Sequence, residues 1–225
     1  MNWLERIMLD TQVQLRLLEE YLDLMERSLP MLVAVKREQQ VALEKLFATK
    51  PGPEAEIEGR TADKAALHAD YMEAHAFPKI VWGSFVVTLW TFFETQVKQY
   101  ASLDQPASEG VELSDFKGDL LKKYRKYVLV GTLLPLLEYD KLELIQHVRN
   151  AIVHADGRLT KEDKVHLKRL CARLAGFNLG PQDLWQDDYL ILEGSFGRWA
   201  CNVVSDEVTK LVEAFRVRLS FPGMK

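Results

Sequence analysis

The stretch DKLELIQHVRNAIVHADGR, Asp140 to Arg158, decides how the chain is read. Its apolar residues Leu144, Ile145, Val148, Ala151, Ile152 and Ala155 fall in a sector of roughly 120° at helical periodicity. That predicts one amphipathic helix. Asp140 can cap its first turn, and Glu143 completes a capping-box spacing. Gly157 stands where a left-handed residue would close it, a position that favours the absence of a Cβ.

The other side of this helix carries Gln146, His147, Arg149, Asn150 and His154. Asn150 and His154 are one turn apart and share a face. The Cα of Arg149 lies roughly 140° around the axis from that of His154, within reach of a guanidinium arm. Leu142 and Val153 flank Arg149 on this nominally solvated side, as on a face that meets a partner surface. Imidazole titrates near neutrality and moves protons. A guanidinium presents a planar fork to phosphate oxygens. Together they suit chemistry at a phosphodiester.

Upstream, FPKIVWGSFVVTLWTFFETQVKQY, Phe77 to Tyr100, is apolar nearly all round. Pro78 fits a first helical turn. A helix of this kind belongs at the centre of a bundle. The run from Ile80 to Phe93 ends at Lys79 and Glu94, short of the 18 or so residues of a membrane span. No membrane association is expected. Glu94 is the first acid after that run, which by itself marks only where the helix leaves the core.

Residues 3–28 form a heptad seam of Leu4, Met8, Thr11, Leu15, Leu18, Leu22 and Met25, continuing to Leu29 and Leu32. Ile7, Leu17, Tyr21 and Leu24 widen it, so this helix is expected to pack on more than one neighbour. Pro30 predicts a kink or a new helix. The segment 1–48 reads either as a bundle helix or hairpin, or as a dimerising arm. Residues 49–60, with two prolines, two glycines and three acids in TKPGPEAEIEG, read as an acidic linker. The remainder, 61–225, reads as the helical core. It opens with a helix from Thr61 to His75, where His68 and His75 lack metal-site spacing.

Ser114 is placed to cap DFKGDLLKKYRKYVLV, in which Lys122, Lys123, Arg125 and Lys126 interleave with Tyr124 and Tyr127. Such a pattern can hold a phosphate backbone and stack on bases, or it can be a solvated face with half-buried tyrosines. Gly131 to Pro135 turns the chain toward the Asp140 helix. TKEDKVHLKRLCARLAGF, from Thr160, predicts a further helix with a second basic cluster. Tyr189 to Phe196 is expected to hold a short strand or hairpin, and Arg198 to Leu219 a closing helix.

At 225 residues, 48% hydrophobic and 28% charged, the chain is ordinary for a globular protein. Its two cysteines, Cys171 and Cys201, are far apart, which suits a reducing cytoplasm rather than a disulfide framework. A net charge of −4 argues against sequence-blind coating of nucleic acid and leaves room for a local basic patch. No glycine-rich phosphate loop, zinc spacing or Ser/His/Asp signature is present. No metal and no cofactor is expected.

Arg149-Asn150-Ala151-Ile152-Val153-His154 resembles the Arg-(four to six residues)-His motif of the HEPN superfamily. A polar residue directly after the arginine is its commonest form. The resemblance covers the helical core, about Phe77 to Leu219, and implies an all-α, HEPN-like bundle. It implies a metal-independent endoribonuclease of the toxin or phage-defence kind, working as a homodimer whose motif helices face one cleft. His154 would then be the general acid or base, Arg149 would stabilise the phosphorane, and Asn150 would hold one of them or the phosphate. Glu94 would orient Arg149, with His147 and Gln146 in support. RNA, and an antitoxin or other protein, would be the partners. The resemblance also admits a non-catalytic module that binds RNA, a nucleotide or a protein. Asp156 replaces the tyrosine that a subset of HEPN toxins carries two residues after the histidine. Apart from the resemblance, the same residues fit a helical interaction protein with a structural Arg149–Asn150–His154 network.

Overall fold

The structure is a computed structural model that describes residues 3–48, 77–104, 110–155, 167, 177–179 and 190–220. It is mostly helical. Its elements are α1 (Trp3–Ala48), α2 (Phe77–Leu103), a 3₁₀ turn (Leu113–Asp115), α3 (Leu120–Leu129), α4 (Tyr139–Ala155), β1 (Phe177–Leu179), β2 (Leu190–Leu192) and α5 (Gly194–Ser220). The reading of 49–60 as a linker, the helix at 61–75 and the Gly157 cap lie outside the described residues; so does the helix expected at 160–177, apart from Leu167, which is helical, and Phe177, which opens β1 instead.

The all-round apolar sequence of α2 makes it the helix on which the others lean. It packs against α1, α4, α5 and β2, and buries Trp82, Phe85, Val86, Leu89, Trp90 and Phe93. No helix among the described residues is long and apolar enough to cross a membrane. Small residues set its closest approaches. A Cβ on Gly83 would lie 3.5 Å from Cγ2 of Ile152, so α4 sits close against α2 there. Where α5 begins, Cβ atoms on Gly194 and Gly197 would lie 3.0 and 3.2 Å from the Trp82 ring.

The heptad seam of α1 goes into the core, with Met8, Thr11, Leu15, Leu18, Leu22 and Met25 buried. Thr11 makes this seam specific. Its Oγ1 is 2.9 Å from Oε1 of Gln96 and 3.2 Å from the hydroxyl of Tyr100, both on α2. Gln96 also donates to Oε1 of Gln14 over 3.1 Å. A single polar position in an apolar seam fixes which turn of one helix meets which turn of the other. Arg198 on α5 ties down the outer side of α1 through Asp23, at 2.7 Å, and Glu26.

Several expectations are corrected. Pro30 neither ends α1 nor makes a hairpin; the helix runs through it. Pro30 is exposed, so the carbonyl that loses its amide partner can turn to water. Leu32 leaves the seam and is 51% exposed. Ser114 does not cap α3. The cap is Asp119, which accepts from the Lys122 amide at 2.9 Å, one residue after Gly118 at φ +123. Asp140 does not cap α4, which starts at Tyr139. Instead the Glu138 amide donates to Oε2 of Glu207 on α5 at 3.0 Å. Of the short strand or hairpin expected within 189–196, the strand is present. Leu190–Leu192 pairs antiparallel with Phe177–Leu179, and α5 has already begun at Gly194.

Candidate functional site

α4 carries the motif. Leu142, Leu144, Ile145, Val148 and Ala151 are buried, which fixes the rotation of the helix. Leu142 had been expected beside Arg149 on the solvated side; it is fully buried. At 100° per residue Leu142 and Arg149 differ by roughly 20°, so Arg149 emerges at the edge of the core face. The arginine is half-buried accordingly. Its Nε is buried without a hydrogen-bond partner. Its Nη1 reaches back over the helix and donates to Oδ1 of Asn150 at 3.0 Å.

That hydrogen bond draws the guanidinium toward the outer row of the helix. The row consists of Glu143, His147, Asn150 and His154, spaced four, three and four residues apart, so all four share a face. His154 is exposed, and so is Val153 beside it, at 47%. Nε2 of His147 is 4.0 Å from Oε1 of Glu143. Gln146 is half-buried on the flank of this row. With Oδ1 engaged by Arg149, the amide group of Asn150 keeps donors for an incoming oxygen. The arrangement therefore gathers a cation, an amide donor and an imidazole on one open helix surface.

Glu94 does not join them. It accepts a hydrogen bond from the indole of Trp90, one turn earlier in α2, at 3.0 Å. Among the described residues no ion pair links it to Arg149.

The basic helix α3 offers less than its sequence suggests. Tyr124 is fully buried and donates to the carbonyl of Pro135 at 2.9 Å, so no base can stack on it. Burial pushes its hydroxyl far above the usual tyrosine range. Three of the cations have work within the fold. Lys122 pairs with Asp119 at 2.8 Å, Lys126 donates to the carbonyl of Lys117, and Arg125 lies 5.5 Å above the ring of Tyr139. Lys123 is half-buried on the flank.

The sequence reading missed Glu207. It is 1% exposed, holds the first amide of the motif helix, and takes Nζ of Lys210 at 2.6 Å. Lys210 is also 3.5 Å from Glu138. The signal was an acid set among Val203, Val204, Val208 and Leu211, all of them buried. An acid at an inward position has to be paired, and here the pairing orients α4. Among the described residues no group of three or more His, Cys, Asp or Glu side chains is arranged to hold a metal ion.

Comparison with known protein families, curated proteins and solved structures finds no match to this chain.

Proposed function

We propose that the chain is a HEPN-like, metal-independent endoribonuclease. The observation that carries this reading is the Arg149–Asn150 hydrogen bond, which brings the guanidinium beside the row ending in the exposed His154. In the reaction, an imidazole takes the proton of a ribose 2′-hydroxyl. The 2′-oxygen attacks the adjacent phosphorus, the bond to the 5′-oxygen breaks, and a second imidazole returns a proton to that oxygen. The products are a 2′,3′-cyclic phosphate and a free 5′-hydroxyl. Arg149 and the Asn150 amide would stabilise the charge that builds on the phosphorane. One His154 cannot act as base and acid in the same step, so a pair of chains with their α4 helices facing supplies both.

The purified protein should cut RNA in excess EDTA and leave cyclic phosphate ends, while DNA stays intact. Arg149→Ala and His154→Ala should each abolish cutting and leave the helical circular dichroism spectrum unchanged. RNA that stays whole across varied substrates, or cutting that survives both changes, would rule the reading out.

Glu143, in the same row, favours a second reading. Its carboxylate would repel a phosphate unless His147 neutralises it. Together with the exposed Val153, it fits a non-catalytic HEPN-like module that binds a protein through this face. In that case Val153→Glu or His154→Ala should abolish partner capture, and no RNA cleavage should be seen.

A further inference from the structure

The outer face of α1 carries an apolar stripe that the core does not use. Val13, Leu17, Leu24, Met31 and Val35 are 49–69% exposed. With Tyr21 they fall in a sector of roughly 80°, centred about 135° from the seam that faces α2. The stripe is about 33 Å long and crosses Pro30, whereas the core-facing seam stops there. Between Pro30 and Gln39 only Val33 is not exposed. At the centre of the stripe the surface is concave, lined by Leu17, Glu20, Tyr21, Asp23, Leu24 and Arg27.

The charges beside the stripe select what covers it. Glu20 and Arg27 are both exposed and lie on the same flank, about two turns apart. We propose that a second copy of the chain lies antiparallel along this stripe, with a two-fold axis beside Leu24. In that register Leu24 meets its own copy, Leu17 meets Met31 of the second copy, and Val13 meets Val35. Antiparallel pairing sets each flank against the same flank, so Glu20 and Arg27 pair reciprocally across the axis. A parallel pair would set this flank against the one that carries Asp10, Gln14 and Gln39, where neither Glu20 nor Arg27 meets an opposite charge at its own height. It depends on α1 alone and not on the ribonuclease reading.

Light scattering after size exclusion, at tens of micromolar, should give twice the 25.9 kDa chain mass from this contact alone, and four times if the α4 pairing of the ribonuclease reading forms as well. Leu24→Glu, which sets two carboxylates against each other on the axis, should halve that mass and keep the helical spectrum. Glu20→Arg alone should raise the dimer dissociation constant about tenfold, and Glu20→Arg combined with Arg27→Glu should restore it. A monomeric wild type would overturn the proposal. So would a dimer that resists Leu24→Glu yet is split by Val153→Glu, which would place the seam on α4. Failure of the double reversal to restore the dimer would overturn the antiparallel register.

Discussion

Arg149 donates from Nη1 to Oδ1 of Asn150, its neighbour in α4, at 3.0 Å, while its Nε is buried with no partner. A buried donor without a partner costs about 1–3 kcal/mol. Arg149→Met keeps the aliphatic stem and removes the orphaned donor. The melting temperature should stay the same or rise. If the ribonuclease reading holds, cleavage should fall by about a hundredfold or more, the scale of losing a transition-state donor. Thermal melts and cleavage rates on one preparation check both halves.

Thr11 sits 1% exposed between α1 and α2 and shares its hydroxyl with Gln96 and Tyr100. Valine has the same shape without the hydroxyl. Thr11→Val should destabilise the protein by about 1–3 kcal/mol, because buried groups on α2 lose their partner. An apolar seam that needed no polar register would gain from the change instead. Urea denaturation of the two proteins tells these outcomes apart.

At Asp119 the N-cap of α3 depends on pH. Burial alone would raise its carboxyl, but the hydrogen bonds and charge of Lys122 outweigh that and hold it below the ordinary aspartate value. A carboxyl lowered in the folded state stabilises above its unfolded pKa of 3.8, and the contribution is lost as pH falls through the folded value. Asp119→Ala should cost about 1 kcal/mol at pH 7. The gap from wild type should narrow as the pH is taken below 4. A gap that stays constant down to pH 2 would mean the carboxylate is not the capping group.

The helices were legible because α2 is apolar on every side and α1 repeats its seam at heptad spacing. The rotation of α4 was harder to read. Leu142 and Arg149 lie on nearly the same bearing, and a pattern that counts Arg149 as polar pulls Leu142 to the surface with it. Packing buries Leu142 and leaves Arg149 to reach out along its stem, which long side chains do at core edges. The ends of α3 and α4 were misplaced for a related reason. Ser114 and Asp140 satisfy local capping rules, whereas the groups that hold the helix starts are Asp119, behind a positive-φ glycine, and Glu207 from a distant helix. Asp119 is a local cap that competes with Ser114 in the sequence, whereas nothing in the sequence around Glu138 marks its partner on a distant helix. Of the candidate site, Arg149 and Asn150 are joined by a hydrogen bond. Glu94 and Tyr124 do not join them, because an indole and a proline carbonyl met them first.

Two tyrosines near the start of α4 should respond in opposite ways to loss of their hydroxyl. Tyr127 donates to the carbonyl of Ala101 at 3.1 Å, in the last turn of α2, where helix carbonyls lack internal partners. Tyr139 buries its hydroxyl without a partner, and Arg125 lies over its ring. Tyr127→Phe should cost about 1–3 kcal/mol, while Tyr139→Phe should be neutral or stabilising by about 1 kcal/mol. The phenylalanine ring still offers its face to Arg125. The two tyrosines also predict behaviour in alkali. Burial, countered by Arg125 and reinforced by Glu207, pushes the Tyr139 hydroxyl up to about 12. Burial likewise pushes the Cys201 thiol up to about 11. Groups raised on folding contribute fully below their unfolded values, 10.0 and 9.0, and lose that contribution as pH rises through the folded ones. Wild-type stability should therefore decline from about pH 9 upward. Tyr139→Phe should flatten the decline above pH 10, and urea midpoints at pH 8 and 10.5 measure it. Equal slopes in the two proteins would mean that Tyr139 ionises in the folded state as freely as in water.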